Sequence, residues 1–174
     1  MATIFTIGHS TRSQEDFLGL LKAHGIGRLV DIRAFPASRR HPQFNREGMQ
    51  QWLAEAGVEY VWEKDLGGRR GKGLPDSPNK GLRNDSFRNY ADYMLTPEFA
   101  AAAERVVALA ADRPTAIMCA EALYFQCHRM LVSDYLVAHG HEVLHITDAK
   151  KARPHKPTAE GRMVDGKWVY PGLF

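Results

Sequence analysis

Five short apolar runs, separated by longer segments with helical spacing, constrain this chain more than any other feature. They are Ile4 to Ile7, Leu29 to Ile32, Val58 to Trp62, Thr115 to Met118 and Glu142 to Ile146. Runs this short and mostly apolar suit strands buried on both faces, and the segments between them are long enough for parallel crossovers. The alternation predicts an α/β fold: a mainly parallel sheet flanked by helices on both faces. A length of 174 residues with 44% hydrophobic content suits a single domain, 1–174, around one substantial core.

Local punctuation sets the element ends. Ser13, with Asp16 three residues on, predicts a helix start; Phe17, Leu18, Leu20 and Leu21 form its apolar face and Gly25 ends it. Further helices are expected near Arg46 to Ala56, from Ser86 past Tyr93, from Pro97 through Ala111 and from Cys127 to His139. Asp165-Gly166, between Met163-Val164 and Trp168-Val169-Tyr170, predicts a C-terminal hairpin. Residues 63–85, rich in glycine, proline and basic side chains, predict a long loop: a mobile lid or anion clamp, or else a disordered solvated segment.

Several classes of protein are disfavoured. No stretch approaches the roughly eighteen apolar residues of a membrane span, so no membrane partner is expected. The N-terminus lacks the basic flank and apolar stretch of a signal peptide and suits a first strand. The chain has two cysteines, which make no disulfide framework; reduced thiols and a cytoplasmic location are the expectation. A net charge of +3 demands no nucleic-acid partner. Clustering of Arg33, Arg39, Arg40 and Arg46, then of Lys64, Arg69, Arg70, Lys72, Lys80, Arg83 and Arg88, can still focus positive potential on a cleft. It leans towards an anionic small molecule or nucleic acid as partner. The run Lys150-Lys151-Ala152-Arg153-Pro154-His155-Lys156 could contact nucleic-acid phosphate or simply carry solubilising charge. Trp52, Trp62 and Trp168 suit core or hairpin positions better than base-stacking platforms.

The residue following each apolar run is polar or reactive. The first leads into Gly8-His9-Ser10, the second ends at Asp31-Ile32-Arg33, and the third reaches Glu63-Lys64. The fourth delivers Cys119 and Glu121, and the fifth carries His145. Open α/β sheets bind ligands beyond the carboxyl ends of their strands, so this edge is the expected cleft. Singly, each residue has an ordinary structural role available: a histidine can cap backbone, and Asp31 can pair with an arginine. Their convergence favours a site.

Thr-Ile-Gly-His-Ser at 6–10, Asp-Ile-Arg at 31–33 with Pro36 and Ser38, Leu66-Gly67-Gly68, Cys119-Ala120-Glu121, Cys127-His128-Arg129 and His145-Ile146 together resemble the domain-of-unknown-function 488 family. The resemblance runs from the first strand to about Arg162. It implies a Rossmann-like domain but no particular reaction. It also implies that Gly8, His9, Ser10, Asp31, Arg33, Cys119, Glu121, Cys127, His128 and Arg129 are characteristic positions, without assigning their roles.

Chemically, Cys119 is the expected nucleophile, activated by His128 or by the cations Arg33 and Arg129, with Glu121 or Asp31 as proton carrier. Gly8, His9, Ser10, Arg33 and Arg129 are the expected substrate-binding residues. Cys127 falls on the stripe with Leu131 and Tyr135 and is expected to be structural. No metal ligand set is assigned: tight Cys-x2-4-Cys knuckles are absent, and neighbouring Cys127 and His128 point about 100° apart on a helix. No cofactor is implied. Gly67-Gly68-Arg69-Arg70-Gly71-Lys72-Gly73 fails as a phosphate loop, because its spacing is wrong and no Ser or Thr follows Lys72. A Cys-x5-Arg phosphatase loop would need arginine where Phe125 stands. Two readings remain: a thiol-dependent enzyme acting on an anionic or nucleotide-derived substrate, or a phosphate or nucleic-acid binding module without turnover.

Overall fold

The computed structural model describes residues 1–172. Strand β1 (Thr3–Gly8) leads into helix α1 (Gln14–Ala23), whose first turn is capped by the Ser13 hydroxyl accepting the Asp16 N–H at 3.0 Å. Then come β2 (Arg28–Asp31), α2 (Arg46–Glu55) and β3 (Glu59–Trp62). Two helices, α3 (Asp85–Tyr93) and α4 (Pro97–Asp112), precede β4 (Thr115–Cys119). Helix α5 (Arg129–Ala138) and β5 (Glu142–His145) follow.

These strands form one sheet in the order β3-β2-β4-β1-β5, all neighbours parallel, as the alternation predicts. A sixth strand, β6 (Arg153–Pro154), adds antiparallel to β5 at the edge, where proline's missing N–H breaks no ladder. The basic run around Lys150 is therefore partly structural. β7 (Arg162–Val164) and β8 (Lys167–Val169) form the expected hairpin, and Asp165 and Gly166 both take the positive φ that its two-residue turn requires.

Side-chain alternation along the strands builds a core on each face. On one face Phe17, Leu21, Met49 and Leu53 from α1 and α2 pack against Ile7, Leu29 and Met118. On the other, Phe99, Val106, Leu131 and Leu136 from α4 and α5 pack against Ile4, Val30 and Ile117, joined by Tyr90, Trp168 and Tyr170. No helix among the described residues is long and apolar enough to cross a membrane.

Two local expectations need correction. Cys127 is not inside α5: its backbone is extended, at φ −144 and ψ 175, and the helix begins two residues later, after a 3-10 turn at Tyr124–Gln126. The buried-stripe argument for Cys127 therefore does not apply. Nor is the loop after β3 loosely held. Asp92, on α3 and buried, accepts the Leu74 N–H, the Ser77 hydroxyl and the Asn79 amide at 2.6–2.9 Å. Arg70 lies 3.6 Å above the Tyr93 ring and donates to the Gly67 and Lys64 carbonyls. A sequence scan sees the glycines and prolines but not the carboxylate that organises them.

Candidate functional site

Because β4 slots between β2 and β1, three of the reactive strand ends become neighbours. Gly8 is in register with Cys119, and Asp31 with Met118. Beyond the strands, the His9 and Ser10 amides donate to the Cys119 and Ala120 carbonyls at 3.0 and 2.9 Å. Ser10 has φ +49, a left-handed backbone that non-glycine residues adopt at some energetic cost, often beside functional sites. Gly8 is needed here: a Cβ would lie 1.7 Å from the Glu121 carbonyl oxygen. A cleft of about 850 Å³ opens at this edge, lined by His9, Ser10, Arg33, Cys119, Glu121, Cys127 and His128, with Arg39, Arg40 and Arg69 also on its walls.

The floor is a buried ion pair. Arg33 Nε and Nη2 donate to the two oxygens of Asp31 at 2.9 and 2.7 Å, and Nη2 also reaches the Phe44 carbonyl. Asp31 further accepts the Arg33 amide and the Tyr60 hydroxyl. Its carboxylate is fully enclosed, which suits holding Arg33 rather than carrying protons to the cleft. His9 donates from Nδ1 to the Ser10 carbonyl at 2.9 Å, so Nε2 is left as acceptor facing Arg33 Nη1 at 3.4 Å. Burial is the main reason its pKa is pushed down to about 4; the Arg33 charge adds to this, so His9 is neutral.

The two thiols meet across the β4–α5 connection, Cys119 Sγ to Cys127 Sγ being 2.8 Å. Cys119 is 2% exposed, and burial pushes its thiol well up; a neighbouring sulfur that takes the charge adds to this. Cys127 moves the opposite way, first through its hydrogen bond with Cys119, then through the neighbouring His128 and Arg129, with burial opposing. The Arg129 amide at the start of α5 also points at Cys127 Sγ, at 3.4 Å. Burial at Cys119 and the helix amide at Cys127 both favour Cys127 as the sulfur that carries charge when the pair loses a proton. Burial works against a thiolate at Cys119, while a helix terminus and two basic residues surround Cys127.

His128 Nε2 donates to the Ile32 carbonyl at 2.9 Å, which leaves Nδ1 as the nitrogen open to proton exchange. Gly68 allows this ring position, since a Cβ there would come within 2.5 Å of Nδ1. Tyr90 braces the ring at 5.0 Å between centroids.

Behind the thiols lies a feature the sequence did not announce. Arg129 is 1% exposed, and among the described residues no carboxylate reaches ion-pair distance of it. Its guanidinium donates to Thr6 Oγ1 and to the Glu121 and Ala122 carbonyls, while Nε has no partner among the described residues. From Thr6 the hydrogen bonds continue through His145 Nδ1, His145 Nε2 to His155 Nδ1, and His155 Nε2 to Asp134 Oδ1. At the last of these the Asp134 carboxylate accepts from His155 Nε2. Tyr170 and the Thr158 amide complete Asp134.

A family model with the description "Domain of unknown function DUF488" matches residues 13–136. The chain belongs to the DUF488 family. No curated protein and no solved structure matches it. The DUF488 match takes in Asp31, Arg33, Cys119, Glu121, Cys127, His128 and Arg129, and stops short of His145 and His155.

Of the site residues expected from this DUF488 sequence, His9, Ser10, Arg33, Cys119, Glu121 and His128 share the cleft wall. Glu121 is exposed there. Gly8, Asp31 and Arg129 stand behind the wall, so direct substrate contact does not follow for Gly8 or Arg129, nor proton transfer for Asp31. Two other strand ends leave the group: Glu63 is paired with Arg105 at 2.9 Å, and His145 is enclosed in the Arg129 chain. Sequence reasoning missed Asp134 and Tyr170, which carry no local motif, and missed the buried partners of Thr6 and His155, which lie far from them in sequence. Cys127 also lines the cleft, at the start of the run that leads into α5 with His128 and Arg129.

Proposed function

We propose that this protein is a thiol-dependent enzyme acting on an anionic substrate, with Cys127 as the nucleophile. The observation that carries this reading is the enclosed Arg129 guanidinium, with no carboxylate in ion-pair reach among the described residues, beside a pair of close-set thiols. A buried cation without an opposite charge costs several kcal/mol, and a thiolate at Cys127 supplies that charge. Helix amides and His128 favour the same anion.

The roles divide accordingly. Cys127 attacks an electrophilic centre of the substrate, and His128, through Nδ1, exchanges protons with the attacking or leaving group. Cys119 donates a hydrogen bond that holds the charge on Cys127. Arg39, Arg40 and Arg69 attract the anionic part of the substrate, with the exposed ring of Phe35 beside Arg69 as an apolar surface. Asp31, Arg33 and His9 are positioning residues that fix the cleft floor.

Alkylation with iodoacetamide over a pH series, read at each cysteine by mass spectrometry, tests this. Cys127 is expected to react first and to reach half its limiting rate well below the ordinary thiol pKa of about 8.5. Reaction at Cys119 first, or ordinary reactivity at both, overturns the thiolate and leaves recognition of an anion without turnover as the account of the cleft.

A further inference from the structure

We infer that Cys127 and Cys119 act as a two-thiol redox pair that reduces a carboxylate-bearing disulfide. Resting on the Cys127 assignment above, the pair adds a resolving partner and a substrate class. The sulfurs are already 2.8 Å apart. A disulfide bond is about 2.05 Å long, so linking them takes a shift of less than about 1 Å. Cys127 lies in extended backbone between a 3-10 turn and α5, outside any strand, with its amide on the Tyr124 carbonyl at 3.5 Å. The order of exposure also fits: both thiols line the cleft, Cys127 half-buried and Cys119 2% exposed. A substrate entering the cleft therefore meets Cys127 first, and Cys119 is placed to attack what forms there. Cations at Arg39, Arg40 and Arg69 match carboxylates on such a substrate, and a cleft of about 850 Å³ is of small-molecule size.

In the first step the Cys127 thiolate attacks one sulfur of R–S–S–R, forming Cys127–S–S–R and expelling R–S⁻. In the second, Cys119 gives its proton to the expelled thiolate and attacks Cys127 Sγ. The Cys119–Cys127 disulfide forms, and the second R–S⁻ leaves and takes a proton from solvent. The protein loses two electrons and the substrate gains them, ending as two R–SH.

The test mixes the reduced, full-length protein with glutathione disulfide at neutral pH and maps the trapped peptides by mass spectrometry. Expected are a Cys119–Cys127 linked peptide and free glutathione. Cys119→Ser and Cys119→Ala, each first matched to the parent by circular dichroism, should accumulate a persistent mixed disulfide on Cys127. Cys127→Ser should lose the reaction. Parent protein that stops at the Cys127 mixed disulfide overturns Cys119 as resolving thiol while leaving Cys127 as nucleophile. A mixed disulfide on Cys119 overturns the order of attack. No adduct on protein whose Cys127 alkylates readily overturns the disulfide substrate class alone; a Cys127 that does not alkylate either overturns the underlying thiol assignment as well.

Discussion

At the scale of single residues, Arg129 couples the chemistry to the core. It contributes one hydrogen bond to each of three oxygens and a charge that acts on both thiols. Replacing it with methionine keeps the bulk and removes the charge. An opposite charge in close range typically moves a pKa by about one to three units. Arg129→Met should therefore raise the pH at which Cys127 reaches half its alkylation rate by about one unit or more, measured by the same site-resolved series. An unchanged profile would show that Arg129 serves only to tie the 121–122 backbone. The sequence names Cys127, His128 and Arg129 as a cluster, and their adjacency is legible without coordinates. The surroundings of each sulfur are not, since the enclosure of Cys119 and the amide at the start of α5 facing Cys127 arise only on folding.

At the scale of elements, the connection between β3 and α3 owes its shape to one side chain of α3. Asp92 satisfies donors from Leu74, Ser77 and Asn79, and Asn79 in turn accepts the Tyr170 amide, tying the loop to the segment after β8. Hydrogen bonds to a charged group contribute about 1.5–3 kcal/mol each and do not simply add. Asp92→Ala should lower stability in urea by about 2–4 kcal/mol and open residues 68–83 to limited proteolysis. Cleavage in that loop at the parent rate would sink the anchoring role. Glycines and prolines between 67 and 82 made a long loop legible; its fixed path was not, because Asp92 is remote from Leu74 and carries no motif.

For the whole molecule, acid should be destabilising, because neutral imidazoles sit inside the fold. Burial lowers His9 to about 4 and His145 to about 3, the latter helped by His155 and Arg129. An unfolded histidine titrates near about 6.5, so below that pH the unfolded chain binds protons that the folded one does not. The stabilisation is complete above about pH 6.5 and declines as pH falls towards about 4, by up to about 1.4 kcal/mol per histidine per pH unit. The urea midpoint should drop clearly from about pH 7 to about pH 5, and a flat or rising midpoint would mean these rings are not held neutral. What the sequence by itself determined is everything governed by neighbours along the chain. Short apolar runs became strands, Ser13 capped α1, and Asp165-Gly166 turned the hairpin, because periodicity, capping and positive φ are local properties. Strand order was decided only by tertiary packing. Sliding β4 between β1 and β2 brings Cys119 beside Gly8-His9 and next to the end of β2, while Glu63 turns away to pair with Arg105. The same packing draws His155, read as part of a basic surface run, into contact with Asp134 and Tyr124. Hydrogen bonds between residues so far apart in sequence form only once the core closes around them, and no local pattern records which groups it will enclose.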